Sequence, residues 1–190
     1  TLALTFSLHH KGGAVFRALL IACCLTSFPA LADGAAAIGE LVNQRLSLMK
    51  DVAGYKAQQH LPIEDLAQEA KVLASAQAEA GLLGLEPASV RPFIAAQMDA
   101  AKAIQYRYRA DWLASPEHGW QPRPLAQVRP QIARLSSQIL QKLAERLRAG
   151  PLGEADRAAF MASVEQVNLS AADKRRLADA LLAVKAGSAR

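Results

Sequence analysis

Two cationic side chains, Arg45 and Lys56, stand where a helix should be apolar. Between residues 34 and 59, apolar residues recur every three or four positions, which predicts an amphipathic helix. Arg45 and Lys56 fall on its apolar stripe about three turns apart, so both side chains leave the same face, about 16 Å from each other. A cation on an apolar face is costly unless a negative group meets it, and this stripe carries no carboxylate. The pattern therefore indicates a site for an anionic ligand.

More polar residues interrupt later stretches of the chain. Asp65 and Glu69 lie one turn apart, and Gln97, Gln105 and Arg129 each fall on a predicted apolar stripe. Each has a simpler interpretation when taken alone. A long cation can extend to solvent, a glutamine can bond a neighbouring helix, and carboxylates suit the first turn of a helix. Because several such residues occur on separate long helices, a shared polar site is also indicated.

Alanine and leucine are abundant, aromatic residues make up only 5% of the chain, and runs of β-branched residues are absent, so we expect helices only. The predicted helices span residues 34–59, 63–83, 88–114, 125–149 and 153–165, and a last one runs from a capping box at Ser170 and Asp173 to about 186. Gly54, inside the first helix, indicates close approach of another helix or a ligand. The predicted fold is all-α: a single domain over 33–190, built on three long helices plus a C-terminal helical extension.

Residues 1–32 have the organisation of a secretory signal peptide. Basic residues, among them Lys11 and Arg17, precede a short apolar core, and Ala30-Leu31-Ala32 supplies the small residues that a signal peptidase needs. We therefore predict cleavage after Ala32 and a periplasmic or secreted protein. The apolar core is too short to be a permanent membrane span, so no stable membrane association is expected after cleavage. A less favoured interpretation is a lipoprotein box ending at Cys23.

Composition excludes several function classes. The chain has 22 basic and 17 acidic residues, and cleavage of the leader would remove Lys11 and Arg17. The mature chain would then have 20 basic and 17 acidic residues, a net charge too small to indicate a nucleic acid partner. Cys23 and Cys24 also lie in the leader, so the mature chain has neither a disulfide nor a thiolate site. The two remaining histidines have no partner at ligand spacing, and no Ser-His-acid set is evident. We expect neither a metal nor another cofactor.

The polar pattern resembles the all-α chorismate mutases, and in particular their secreted, gamma-type subclass. The spacing Arg45-x10-Lys56-x8-Asp65-x3-Glu69, with Gln105 on a later helix, carries this resemblance. It is supported by the segments Val52-Ala53-Gly54-Tyr55-Lys56 and Lys102-Ala103-Ile104-Gln105-Tyr106. The similarity is specific over about 38–113 and looser beyond. It implies that the chain converts chorismate to prephenate by a Claisen rearrangement within one molecule, without a cofactor.

The resemblance also implies a role for each site residue. Arg45 and Arg129 would bind the substrate carboxylates, and Lys56 would reach a carboxylate and the ether oxygen. Gln105 would give a second hydrogen bond to that oxygen, and Glu69, with Asp65 beside it, would accept from the ring hydroxyl. Arg134 and Arg123 are the less favoured candidates for the late arginine.

Two site positions depart from the family pattern, and two questions stay open. Gln68 stands where many relatives have arginine, and Ala101 stands where they often have serine or threonine. These departures keep an alternative open, namely a secreted helical protein without activity that binds a small anion or a protein partner. The resemblance also allows a homodimer in which each site lies within one chain.

Overall fold

The computed structural model of the protein describes residues 28–188. This range forms seven helices: α1 (Phe28–Ser47), α2 (Met49–Gln58), α3 (Leu66–Leu82), α4 (Pro87–Ala114), α5 (Leu125–Leu147), α6 (Glu154–Ser163) and α7 (Ala171–Leu182). An isolated bridge between Leu85 and Ala186 is the one β-type pairing in the described range. The all-α prediction is confirmed. None of these helices has the length and hydropathy needed to cross a membrane.

Most of the predicted leader, including Cys23 and Cys24, lies outside the described residues. The described chain begins at Phe28 as the first residue of α1. Asp33, the first residue after the predicted cleavage site, is exposed, whereas Ala35 is fully buried.

The first predicted helix is divided at Leu48 into α1 and α2. The interruption is local, because Leu48 keeps right-handed helical angles (φ −72°, ψ −12°) and its carbonyl accepts from the Val52 N–H at 3.2 Å. The pair ends at Gln58, before Pro62, where His60 adopts a left-handed φ of 53° and the Leu61 N–H bonds back to the Lys56 carbonyl. The chain turns there towards α3.

Two predicted helix ends were wrong by several residues. The second helix begins at Leu66, not at residue 63, because the Asp65 side chain accepts from the Gln68 N–H at 3.1 Å and caps it. The last helix ends at Leu182, not at 186, because the chain beyond it pairs with the turn before α4. There the Gly187 N–H donates to the Gly84 carbonyl at 2.8 Å.

The long helices pack around one apolar core. Helix α1 lies against α5 and α6, while α4 lies against α2, α3 and α7. Fully buried aliphatic and aromatic side chains fill the space between them, among them Ile38, Val42, Phe93, Ile139 and Leu143. The packing thus places α1 and α2 against α5, so the helices that carry the cations of the predicted site adjoin one another.

The C-terminal extension is joined to the long helices by buried ion pairs. The Arg146 guanidinium makes two bonds to Asp156, at 2.6 and 2.7 Å, which connect α5 to α6. Arg107 of α4 donates to Asp173 at 2.6 Å, and Ser170 and Arg176 contact the same carboxylate. Burial would raise the pKa of Asp173, but these hydrogen bonds prevail and lower it to about 2. The predicted capping box of Ser170 and Asp173 is present.

The predicted close approach at Gly54 is made by a loop, not by a helix or a ligand. A Cβ atom at this position would lie 2.7 Å from the Trp120 ring and 3.0 Å from Pro122. Trp120 also packs against Trp112 and lies under the Lys50 ammonium. Only glycine allows the 115–124 loop to lie this close to α2, and this loop leads directly into α5.

Candidate functional site

A cavity of about 500 Å³ lies among α1, α2, α3, α4 and α5. Its lining includes every residue predicted for the site: Arg45, Lys56, Asp65, Gln68, Glu69, Ala101, Gln105 and Arg129. Its volume suits a small organic molecule. The helix packing therefore brings together residues that are up to 84 positions apart in the chain.

Arg45 is buried in the cavity wall, with 6% of its surface exposed. Its Nε donates to Ser136 Oγ at 3.2 Å, and Nη1 donates to the Gln97 carbonyl at 3.5 Å. Desolvation lowers the pKa of Arg45 to about 10, so the guanidinium is still charged at neutral pH. The contacts found within residues 28–188 orient this charge without neutralising it.

Lys56 is buried on the next helix, and its Nζ donates to the Ile63 carbonyl at 2.6 Å. Its pKa is lowered, first by burial; Asp65 opposes this, Arg129 and Arg109 lower the pKa further, and Glu69 raises it. Burial and repulsion by the two arginines together outweigh the two carboxylates. An anion in the cavity would relieve this repulsion.

Gln105 lies on α4, one turn beyond Ala101, and both are buried. Its Nε2 donates to the Ala101 carbonyl at 3.1 Å and to the Met49 sulfur at 3.6 Å, while Oε1 has no partner in the described part of the protein. A thioether is a weak acceptor. A ligand oxygen that replaced the sulfur would therefore gain a better hydrogen bond from the amide.

Glu69 lies in the cavity wall at the start of α3, where its two carboxylate oxygens have different partners. Oε2 accepts from Lys102 Nζ at 3.0 Å, and Oε1 accepts from the Asp65 N–H at 3.4 Å. Asp65 itself serves as the α3 cap, so its carboxylate has a structural contact in addition to its place in the lining. Gln68, which is exposed, lies on the same side of the cavity.

Of the three arginines considered for the late position, Arg129 lines the cavity, and Arg123 and Arg134 do not. Arg123 instead pairs with Asp51, with its Nε 2.7 Å from Oδ2, and Arg134 is exposed on the outer surface of α5. Arg129 is more exposed than Arg45 and Lys56. It therefore stands near the mouth of the cavity, while the other two cations form its floor and wall.

Sequence analysis assigned no role to several polar residues of this cavity, among them Gln97, Lys102 and Ser136. Ser136 lies two turns after Arg129 on α5, and Lys102 lies about one turn before Gln105 on α4, so helical spacing from assigned residues could have drawn attention to them. Gln97 was noted only as a polar residue on an apolar stripe; its Nε2 is buried without a partner in residues 28–188. Over the same residues, no cluster of histidine, cysteine and carboxylate side chains has the arrangement of a metal site.

The chain is similar to known chorismate mutases in sequence. The family model for chorismate mutase type II matches residues 36–106. A secreted chorismate mutase from Yersinia pestis is 57% identical over 134 residues, which cover 70% of this chain and 72% of that protein. A monofunctional chorismate mutase from Enterobacter agglomerans is 45% identical over 140 residues, which cover 74% and 77% of the two chains.

The chain is also similar to solved structures. The crystal structure of the secreted Yersinia pestis enzyme superposes with a TM-score of 0.74 at 51% identity, covering 78% of this chain and 97% of that one. The crystal structure of a chorismate mutase from Burkholderia thailandensis superposes with a TM-score of 0.66 at 30% identity, covering 78% and 96%.

Proposed function

The chain belongs to the chorismate mutase type II family, and from this premise we propose that the cavity among α1 to α5 is its active site. The protein is a chorismate mutase, an isomerase that converts chorismate to prephenate. The alternative of a secreted binding protein without activity is not favoured. The proposal concerns which side chains perform the reaction and how.

The observation that carries the proposal is the surplus of positive charge in the cavity wall. Arg45, Lys56 and Arg129 all line the cavity, and none of them takes part in the ion pairs found within residues 28–188. Chorismate carries two carboxylates. Three cations facing a dianion would recover the electrostatic free energy lost when Arg45 and Lys56 were buried.

The reaction breaks a C–O bond and forms a C–C bond within one molecule, so it needs no nucleophile and no proton transfer. Two things lower its barrier: holding the substrate in its compact reactive shape, and stabilising the negative charge that grows on the ether oxygen. We assign the first task to Arg45 and Arg129, which would each bind one of the two carboxylates. Arginine suits this task because its planar fork matches a carboxylate.

The second task falls to Lys56 and Gln105. Lys56 Nζ uses one donor on the Ile63 carbonyl, which leaves two for the substrate. Gln105 would exchange its weak bond to the Met49 sulfur for one to the ether oxygen, while its bond to the Ala101 carbonyl keeps the amide in place. Both donors are buried, and the low dielectric strengthens their interaction with the developing charge.

Glu69 would accept a hydrogen bond from the ring hydroxyl, with Asp65 beside it as the α3 cap. The two departures from the family pattern lie at the edges of this arrangement. Gln68 is exposed and removes a peripheral charge, while Ala101 leaves space without a hydroxyl donor. Since three cations remain, we expect activity to persist with weaker binding of the substrate.

The loss of chorismate absorbance on incubation with purified protein comprising residues 33–190 tests this function. Lys56→Ala should lower the rate on the order of 100- to 1,000-fold, because it removes a donor to the developing charge. Lys142→Ala is the matched control, since Lys142 is exposed on α5 and pairs only with Glu145 there. Equal rates for Lys56→Ala and the wild type would show that the cavity is not the active site.

We also propose that the protein is exported and begins at Asp33 after cleavage. The signal-like pattern of residues 1–32 and the secreted Yersinia pestis relative support this. N-terminal sequencing of the exported protein should give Asp33. A lipid-modified terminus at Cys23 would refute the proposal.

A homodimer is compatible with this arrangement. The described lining includes Arg129 of the same chain, so a dimer would hold one site in each chain. Light scattering of the purified protein would measure the assembly.

A further inference from the structure

Lys102 is a cavity residue to which the proposed reaction assigns no task. It lies on α4, and its Nζ is 3.0 Å from Glu69 Oε2 and 3.2 Å from Asp99 Oδ1. The side chains of Lys102 and Glu69 are each 23% exposed, whereas that of Asp99 is 70% exposed. Glu69 is therefore the inner partner, and the ion pair spans from α4 to the first turn of α3 at the cavity wall.

The Glu69 carboxylate depends on Lys102 for its orientation. Its other contact, from the Asp65 N–H to Oε1, is 3.4 Å long, beyond the usual range of about 2.7–3.2 Å for such bonds. The bond from Lys102 is charge-assisted and of normal length. The hydrogen bond to Glu69 also raises the pKa of Lys102, so the ammonium stays charged at neutral pH. Without Lys102, Glu69 would keep only a weak contact with its own helix.

We propose that Lys102 is a positioning residue that holds the Glu69 carboxylate towards the ring hydroxyl of the substrate. The inference rests on the proposed role of Glu69 in the active site. A hydroxyl that takes no part in bond breaking is bound equally in the ground state and in the transition state. Loss of Lys102 should therefore raise KM and leave kcat nearly unchanged.

Two other roles for Lys102 predict different behaviour. As a structural tether between α3 and α4, it would affect stability and not KM, and a partly exposed ion pair contributes little to stability. As a direct ligand of a substrate carboxylate, it would act whether or not Glu69 is charged. A double-mutant cycle separates these roles, because residues that act through one contact are not additive.

The experiment measures kcat and KM for chorismate in the wild type, Lys102→Met, Glu69→Gln and the double variant. We expect Lys102→Met to raise KM on the order of tenfold, with kcat within about twofold. In the Glu69→Gln background, the same change should add less than about twofold. Lys102→Arg should restore most of the affinity. Asp99→Asn is the matched control and should keep the wild-type KM, because it removes only the outer partner of Lys102.

Three results would overturn the inference. A tenfold effect of Lys102→Met that persists in Glu69→Gln would make Lys102 a direct substrate ligand. A lower melting temperature at unchanged KM would make it a tether. An unchanged KM in Glu69→Gln would remove the group on which it is proposed to act. Circular dichroism checks the fold, and Lys102→Gln replaces Lys102→Met if the latter does not fold. Turnover by the wild type, measured first, tests the proposed function separately.

Discussion

Replacing Arg129 with alanine tests whether a side chain that follows the 115–124 loop completes the active site. Arg129 lines the cavity 73 residues after Lys56, and the described residues hold no hydrogen-bond partner that would occupy its donors. Arg45 already uses two of its donors on Ser136 and Gln97, and Lys56 uses one on Ile63. In its proposed role, Arg129 would therefore bring a complete guanidinium fork to the second substrate carboxylate.

The magnitude follows from the loss of one charge-assisted contact. Such a contact is worth about 1.5–3 kcal/mol, so kcat/KM should fall about 10- to 100-fold. Because Arg129 is exposed near the mouth, salt should screen its charge, and the effect should be smaller at high ionic strength than at low. A change in the charge of Lys56 should not add to this loss of kcat/KM. Arg129 lowers the pKa of Lys56, so its removal favours the charged ammonium.

The assay is steady-state loss of chorismate absorbance at two salt concentrations. Arg134→Ala is the matched control, since it removes an exposed arginine from the same helix outside the cavity. Arg123→Ala should act on stability, because Arg123 joins the 115–124 loop to Asp51. The reasoning would be refuted if Arg129→Ala kept the wild-type kcat/KM while Arg134→Ala or Arg123→Ala lost it.

Three further predictions follow from particular contacts. In Gln105→Glu, kcat/KM should fall as the pH rises through the pKa of the new carboxyl, which is about 4.3 in water and higher when buried. The kcat/KM of the wild type should stay constant from about pH 4 to 8. Parallel pH profiles for the two proteins would contradict the contact between Gln105 and the ether oxygen. The pKa of Asp173 is lowered to about 2 in the folded protein, against about 3.9 in the unfolded chain. At pH values above about 3.9 the ionised side chain therefore adds about 2 kcal/mol to the free energy of unfolding, and this contribution is lost as the pH falls towards 2. Urea unfolding of Asp173→Asn should therefore show a deficit at pH 7 that shrinks below pH 4, and a constant deficit would argue against it. Gly54→Ala should lower both the melting temperature and kcat/KM, since its Cβ would meet Trp120 at 2.7 Å. Gly81→Ala is the control and should stabilise the protein, because its Cβ would lie 3.4 Å from Pro87. Stabilisation by both variants would show that the 115–124 loop moves away from α2 without cost.

Local sequence determined the helices because their signals act within a few residues. Helix α4 begins at Pro87, next to the predicted start at residue 88, and Ser170 caps α7 as predicted, since a missing N–H or a capping hydroxyl needs no distant partner. Arg45 and Lys56 could be placed on one face from helical periodicity alone, because α1 and α2 continue through Leu48 with helical angles. The family resemblance then supplied the residues on other helices, which periodicity could not relate to one another.

Tertiary packing decided what lies between those residues. Asp65 caps α3 rather than lying inside the helix, and the chain after Leu182 leaves its helix to pair with the turn at Gly84. Lys102 finds its partner Glu69 across the α3–α4 contact, and Ser136 finds Arg45 across the α1–α5 contact, 91 positions away in the chain. No local pattern specifies these pairings. Periodicity placed Arg129 on the apolar stripe of α5, but whether this face lines the same cavity as Arg45 and Lys56 depends on how the helix docks. Local propensity acts over a turn or two, whereas the pairing of side chains across a cavity depends on the packing of the whole core.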